Sequence, residues 1–490
     1  MKANKCIFLL IPLLLTSCNT EQINNDNGEN NNDSNCIIKE KTTINFLSMS
    51  DSGYHDELVN MIQSFESEEP NVKVNIYNPL GSGNYNMLEK YVVAGFFKED
   101  YPDLVQCYPD NVIKYIAQEK AINLDPYINN KVYGLTEEER SDYITSFIQE
   151  GRNYHKDGTY SLPFCKSTEL LYYNADVLEG LDLSSVDNSI NEGKALDVNY
   201  LDNLTWEELF NKLCPALKTY NDAQDSSHKI YVDSDTSAIF TYDSDENFFI
   251  TLAKQYGYGY TSLDSTLKGV IEFNNPNMKN LMKTLKTAKD NKYLLTRGSN
   301  SGNYVSYMFT DKKALFTISS TAGLAYNYNE VNPFRIGAAK IPHAENHDYL
   351  AINQGPSLCI LDHYDDNRSL ASFLLWKHLT NEKNSSSWAL QTGYMGVRNS
   401  SYKTEEYNAA KSITDKSNLL KLATASNLNK ISEVRDYTFN TPVFRGSSNV
   451  RTNVGLLLKD CLNSENLDSE IDELFAYYTS DAESYIKENY

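Results

Sequence analysis

TINFLSMSDSGYHDELVNMIQSFESEEPNVKVNIY, residues 43–77, decides the fold. Residues 43–49 read as a strand, and Leu58, Met61, Ile62 and Phe65 then recur at helical spacing until Pro70 stops the helix. Residues 72–77 form the next predicted strand. The rhythm continues outward, with Met87, Leu88, Tyr91 and Val92 marking a second amphipathic helix, 103–107 a third strand, and Val112, Ile113, Ile116 and Ala117 a third helix. Strands alternating with helices predict an α/β protein with a parallel sheet. Further on, 161–174 is a proline-led extended run, and 206–217 and 274–285 read as helices. Residues 313–319, 334–341 and 357–361 read as strands, while 370–379, 419–428, 454–462 and 467–478 make the C-terminal third mostly helical.

Open sheets of this kind bind ligands beyond the carboxyl ends of their strands. Residues 48–54, after the first strand, and 108–111, after the third, end that way with polar side chains. The helix beginning near Gly53 aims its free N–H groups at the first loop, which favours a hydroxyl or carboxylate acceptor there. Ser50, Asp51 and Ser52 are equally readable as caps of that helix.

Composition narrows the partners. The chain has 490 residues and a formal charge of -22, which argues against nucleic acid and anionic membrane surfaces, since both demand basic patches. Residues 41–490 exceed what one hydrophobic core usually organises, so two lobes are expected. At the N-terminus, Lys2 and Lys5 precede an apolar run over 7–15, well below the ~20 residues of a spanning helix. It ends in Leu15-Thr16-Ser17-Cys18, which resembles a bacterial lipobox, with residues 1–17 as signal peptide and Cys18 as lipidated first residue. An ordinary secretory signal with a chance cysteine is the alternative. Residues 19–40 are dominated by Asn, Asp, Glu and Ser and are expected to be a disordered tether. Cys6 falls in the predicted signal peptide, and the six cysteines after Cys18, without a C-x-x-C pair, argue against a zinc site and read as small buried thiols, with no disulfide assigned. The 36 tyrosines against three tryptophans fit a sugar-handling surface, and fit AT-rich codon usage equally well.

Several ordered motifs resemble the extracellular solute-binding proteins of ABC importers, family 1, which include maltose-binding protein. Carrying the resemblance are Ile44-Asn45-Phe46, the run from Phe65 to Val74, and Tyr101-Pro102-Asp103-Leu104. Tyr160-Ser161-Leu162-Pro163-Phe164 with Tyr172-Tyr173-Asn174 is its most specific segment, the first crossover between lobes. Leu204-Thr205-Trp206-Glu207-Glu208-Leu209, Lys312-Lys313-Ala314-Leu315-Phe316 and Gln391-Thr392-Gly393-Tyr394 follow in family order. Gly396 departs from the pattern, standing where the family usually carries proline.

The resemblance implies a two-lobed periplasmic-binding-protein-like α/β fold, with the ligand cleft between lobes joined by crossover hinge strands. Lobe one is expected at 41–163 plus 320–372 and lobe two at 164–319 plus 373–490. It implies a monomer that captures a polar small solute, most readily a sugar or oligosaccharide, and hands it to an ABC permease, with no cofactor and no metal. The matching positions place Asp51, Tyr54, Tyr108, Asp110, Ser167, Thr168, Glu169, Tyr242, Asp243, Phe248, Thr321, Arg445 and Ser447 at the ligand. For each, a solvated loop side chain or a cap is the competing reading. Asp243-x-Asp245-x-Asn247 opens like a calcium loop, yet Phe248 replaces the required glycine, and His343 and His347 fall in a predicted hairpin loop, so neither is taken as a metal site. A surface glycosidase using two carboxylates and an adhesin lipoprotein remain the other two classes, although no H-E-x-x-H, G-x-S-x-G or phosphate loop supports a hydrolase.

Overall fold

The computed structural model describes residues 36–50, 53, 55–81, 85–234 and 236–488. Cys18, Asp51 and Tyr54 lie outside the described residues, as does the predicted tether up to residue 35. The end of that tether departs from expectation, because Cys36 and Ile38 are buried. Their anchor is Glu69, whose carboxylate accepts the amides of Ile37 and Ile38 at 3.0 Å.

Ten strands build two five-stranded sheets. In the first, Val72–Tyr77, Thr42–Leu47 and Leu104–Cys107 run parallel, as the alternating pattern predicts. Helix His55–Glu68 buries Leu58, Met61, Ile62 and Phe65 against this layer. Strand Val72–Tyr77 buries Val72 and Val74 while Lys73 and Asn75 face out, the period-2 pattern of a half-covered edge. The sheet is nevertheless mixed, since Ser357–Ile360 inserts antiparallel between Leu104–Cys107 and Leu162–Pro163. The second sheet follows the order Ile336–Ala339, Glu169–Asn174, Phe316–Ser320, Phe240–Tyr242, Leu294–Thr296, with Glu169–Asn174 antiparallel to both neighbours. In each sheet the antiparallel strand is one the chain enters from the opposite lobe.

The extended run 161–174 is thus split. Leu162–Pro163 belongs to one sheet and Glu169–Asn174 to the other, with Phe164 to Thr168 crossing between them. The return crossing differs from the expected boundary at 320. Strand Ile336–Ala339 still pairs with Glu169–Asn174, so the chain goes back only between there and Ser357. A third passage follows helix Leu419–Val434, where Thr438–Phe439 pairs in parallel with Ala351–Ile352. Ser167 and Gln354 exchange backbone hydrogen bonds at 2.9 and 3.0 Å, and Met395 donates to the Lys166 carbonyl at 2.6 Å, which ties the crossings together.

Large apolar cores lie under both sheets, and all three tryptophans, Trp206, Trp376 and Trp388, are buried in them. Cys36, Cys107, Cys165, Cys214, Cys359 and Cys461 are free and buried. Gly396, the departure from the family pattern, packs so closely that a Cβ there would sit 2.3 Å from the Ser401 hydroxyl. Among the described residues no helix is long and apolar enough to cross a membrane.

Candidate functional site between the lobes

A cleft of about 1480 Å³ opens between the sheets, floored by the crossings. Its walls come from the carboxyl ends of strands in both lobes, where the parallel arrangement leaves helix N-termini facing the gap. Leu104–Cys107 delivers Tyr108 and Asp110, Phe240–Tyr242 delivers Asp243 and Asp245, and Leu294–Thr296 delivers Arg297.

Of the expected residues, Tyr108, Asp110, Glu169 and Asp243 line this cleft. Tyr108 precedes helix Pro109–Ala117, its amide held by Asn111 Oδ1 at 3.0 Å and its ring edge-on to Tyr85 at 4.7 Å. Burial pushes its hydroxyl up to about 12. Asp110 accepts a hydrogen bond from the hydroxyl of Ser447, which opens helix Ser447–Asn463 on the opposite lobe. Burial raises the Asp110 pKa above the usual carboxylate value, against the pull of Ser447 and then of Arg451. Asp243 is likewise raised by burial and accepts the Val305 amide at 3.1 Å.

Glu169 is buried where it lines the cleft. It accepts from Tyr242 Oη at 2.5 Å and from Asn247 Nδ2 at 2.7 Å. Desolvation carries its pKa up to about 7, although both hydrogen bonds and the Arg451 charge favour the ionised form. Nearby, Asp245 accepts from Thr296 Oγ1 at 2.5 Å and from the Gly298 amide at 2.7 Å, and burial raises it to about 6.

The remaining expected residues lie elsewhere. Ser167 and Thr168 build the hinge, and Thr168 Oγ1 donates to the Ile352 carbonyl at 2.9 Å. Tyr242 and Phe248 are buried inside the second lobe with rings stacked at 4.4 Å, so Tyr242 acts on the cleft only by holding Glu169. Thr321 is fully buried and its amide donates to the Thr168 carbonyl at 2.8 Å. Arg445 stands off the cleft wall, and from helix Ser447–Asn463 it is Arg451, one helical turn beyond Ser447, that lines the cleft.

Sequence reasoning missed that arginine and its network. Arg451 donates to Asn247 Oδ1, and Asn247 Nδ2 reaches both Glu169 and, at 2.8 Å, Gln354 Oε1 of the return crossing. The available signal was Asp243-x-Asp245-x-Asn247, which opens a helix directly after a strand. The floor carries a buried ion pair, Lys166 with Glu150. Lys166 also donates to the Gly355 carbonyl at 3.0 Å, and Glu150 accepts from Asn353 Nδ2 at 3.2 Å and Ser357 Oγ at 3.1 Å. Arg297 lies 4.0 Å over the ring of Tyr304, an exposed aromatic face in the cleft. No cluster of three metal-ligating side chains occurs among the described residues.

Two α/β lobes, repeated hinge crossings and a polar cleft between them define a bilobal ligand-binding protein. The chain belongs to the bacterial extracellular solute-binding protein family, whose model matches residues 60–415. That family is non-enzymatic. Solved structures of the same fold include UgpB from Mycobacterium tuberculosis in complex with glycerophosphocholine, with TM-score 0.67 and 15% identity over 91% of this chain and 99% of that one. An ABC substrate-binding protein from Listeria monocytogenes in complex with cycloalternan gives TM-score 0.66 and 14% identity over 91% and 100%. Maltose-bound MalE3 of T. maritima gives 0.63 and 14% over 90% and 99%. No curated protein matches the chain by sequence.

Proposed function

We propose that the protein captures a neutral, hydroxyl-rich solute, a sugar or oligosaccharide, by closing its lobes and delivers it to the permease of an ABC importer. The observation that carries this reading is the lining of the cleft. Tyr85, Tyr108, Tyr304, Tyr326, Tyr394 and Tyr485 supply aromatic faces and hydroxyls beside amides and carboxylates, the mixture that stacks on sugar rings and pairs with their hydroxyls. Carboxylates outnumber cations in the lining by seven to four, which disfavours an anionic solute. The volume exceeds the ~300–1,000 Å³ of ordinary small-ligand pockets and suits a ligand of several sugar units. Structural relatives were solved with cycloalternan and maltose, which agrees with this chemistry.

Contacts from both lobes would give the solute its differential affinity for the closed state. The Asp110–Ser447 contact already joins the lobes across the cleft. The lipobox-like Leu15 to Cys18 supports anchoring at the outer face of the cytoplasmic membrane, close to the permease.

The test is a thermal-shift and calorimetric panel of glucose, maltose, maltotriose, cycloalternan, glycerophosphocholine and spermidine. Saturable stabilisation by at least one sugar is expected, on the order of 3 kcal/mol at a hundredfold excess over Kd. Stabilisation by glycerophosphocholine or spermidine alone would overturn the carbohydrate reading.

A further inference from the structure

Asn353 and Gln354 stand side by side on the return crossing and both line the cleft. Each carries one buried polar atom, Asn353 Oδ1 and Gln354 Nε2, that has no hydrogen-bond partner among the described residues. The other polar atom of each amide has partners, and these fix which atom is left over. Asn353 Nδ2 donates to Asn440 Oδ1 at 2.6 Å and to the Glu150 carboxylate, which can only accept, so the free atom of Asn353 is its oxygen. The orientation of the Gln354 amide is fixed by two neighbours, Arg451 and Asn247. Arg451 can only donate, so the atom of Asn247 it meets is Oδ1. Asn247 Nδ2 therefore faces Gln354, whose Oε1 accepts it, and Nε2 remains.

We propose that Asn353 Oδ1 and Gln354 Nε2 form an acceptor–donor pair in the hinge floor that reads hydroxyl groups of the bound solute. The inference rests on the carbohydrate reading of the cleft and adds the residues that select the ligand. A sugar hydroxyl both donates and accepts, so a hydroxyl or a vicinal pair satisfies both atoms, whereas a purely apolar group satisfies neither. A buried amide atom left unpaired costs free energy that a complementary ligand group recovers, so discrimination against an analogue lacking the hydroxyl is large. The placement also has a mechanical meaning. Ala351–Ile352 pairs with the third passage, and Gln354 is bridged to Ser167 of the first, so a solute held here acts on the strands that bend. Solute recognition and hinge position are then one event.

Gln354→Glu is the discriminating substitution, because it keeps the oxygen that Asn247 needs and replaces only the free donor by an acceptor. Calorimetry of glucose, maltose, maltotriose and cycloalternan against the mature chain should show affinity for the sugar that binds falling by at least about tenfold, with the melting temperature nearly unchanged. Should that variant fail to fold beside Glu169, Gln354→Met removes the donor without adding charge and is expected to lose affinity equally. Sugar affinity that is unchanged in the folded variants overturns this inference alone. Failure of every sugar to bind the wild-type chain, or binding of triglycine in their place, overturns it together with the carbohydrate reading.

Discussion

Glu169 shows how burial sets chemistry at a single residue. Its carboxyl is more basic in the folded chain, near 7 against an ordinary 4.5, because the ionised form loses solvation that Tyr242 and Asn247 only partly replace. The folded state therefore holds this proton more tightly than the unfolded chain. The resulting stabilisation is fully present below pH 4.5 and is lost as pH rises through 7, on the order of 3 kcal/mol in all. Glu169→Gln should flatten the melting-temperature profile between pH 4.5 and 7, and an unchanged profile would contradict the assignment. Asp110 makes the complementary case at the mouth. Asp110→Ala removes both the contact with Ser447 and a carboxylate facing the cleft, so sugar affinity should fall by about tenfold with melting shifted by only a few degrees. Tyr108 and Asp110 were legible in the sequence because they follow a predicted strand whose end must face the cleft, and Glu169 and Asp243 because the family resemblance placed them at the ligand. Arg451, Asn353 and Gln354 were not, because their positions depend on a late helix and a return crossing that local periodicity does not announce.

At the scale of elements, the hinge gathers its crossings around one buried charge pair. Lys166 comes from the first crossing, while Glu150, at the end of helix Thr145–Glu150, gathers Asn353 and Ser357 from the second. Asn353 in turn reaches Asn440 of the third. Lys166→Met leaves Glu150 buried without its cation and should cost about 3–5 kcal/mol in urea unfolding. The double variant Lys166→Met with Glu150→Leu should recover a large part of that loss, since breaking a buried pair costs more than replacing it. A double variant no more stable than the single one would mean that the neighbouring amides, rather than the ion pair, hold the floor. Long helices were readable at this scale: Asp366–Leu379, Leu419–Val434 and Leu467–Glu488 all contain the segments their spacing predicts. Phe240–Tyr242 and Leu294–Thr296 were not, because three-residue strands carry too little pattern to separate from loop. The mixed character of both sheets was also hidden, since strand direction is set by which lobe the chain comes from.

For the whole molecule, length alone implied two lobes, and ordered motifs identified the family, while the boundary at 320 missed Ile336–Ala339 by one strand and that at 372 cut helix Asp366–Leu379, whose Phe373, Leu375 and Trp376 pack with Ile44, Phe46 and Leu58 in the first lobe. Cys18→Ser in a bacterial host should shift the protein from the membrane fraction to the medium while calorimetric sugar binding stays the same. Retention of the variant in the membrane fraction would count against lipidation at that position.

The insertion of Ser357–Ile360 between Leu104–Cys107 and Leu162–Pro163 has a consequence for biosynthesis. An emerging chain shorter than 360 residues lacks a member of its first sheet, so that sheet cannot close while the ribosome is still producing the second. Pairings this distant in sequence are slow to form, because loop closure must precede any gain from contact. Until then Leu104–Cys107 and Leu162–Pro163 present open edges, the transient surface at which strands of other chains can add.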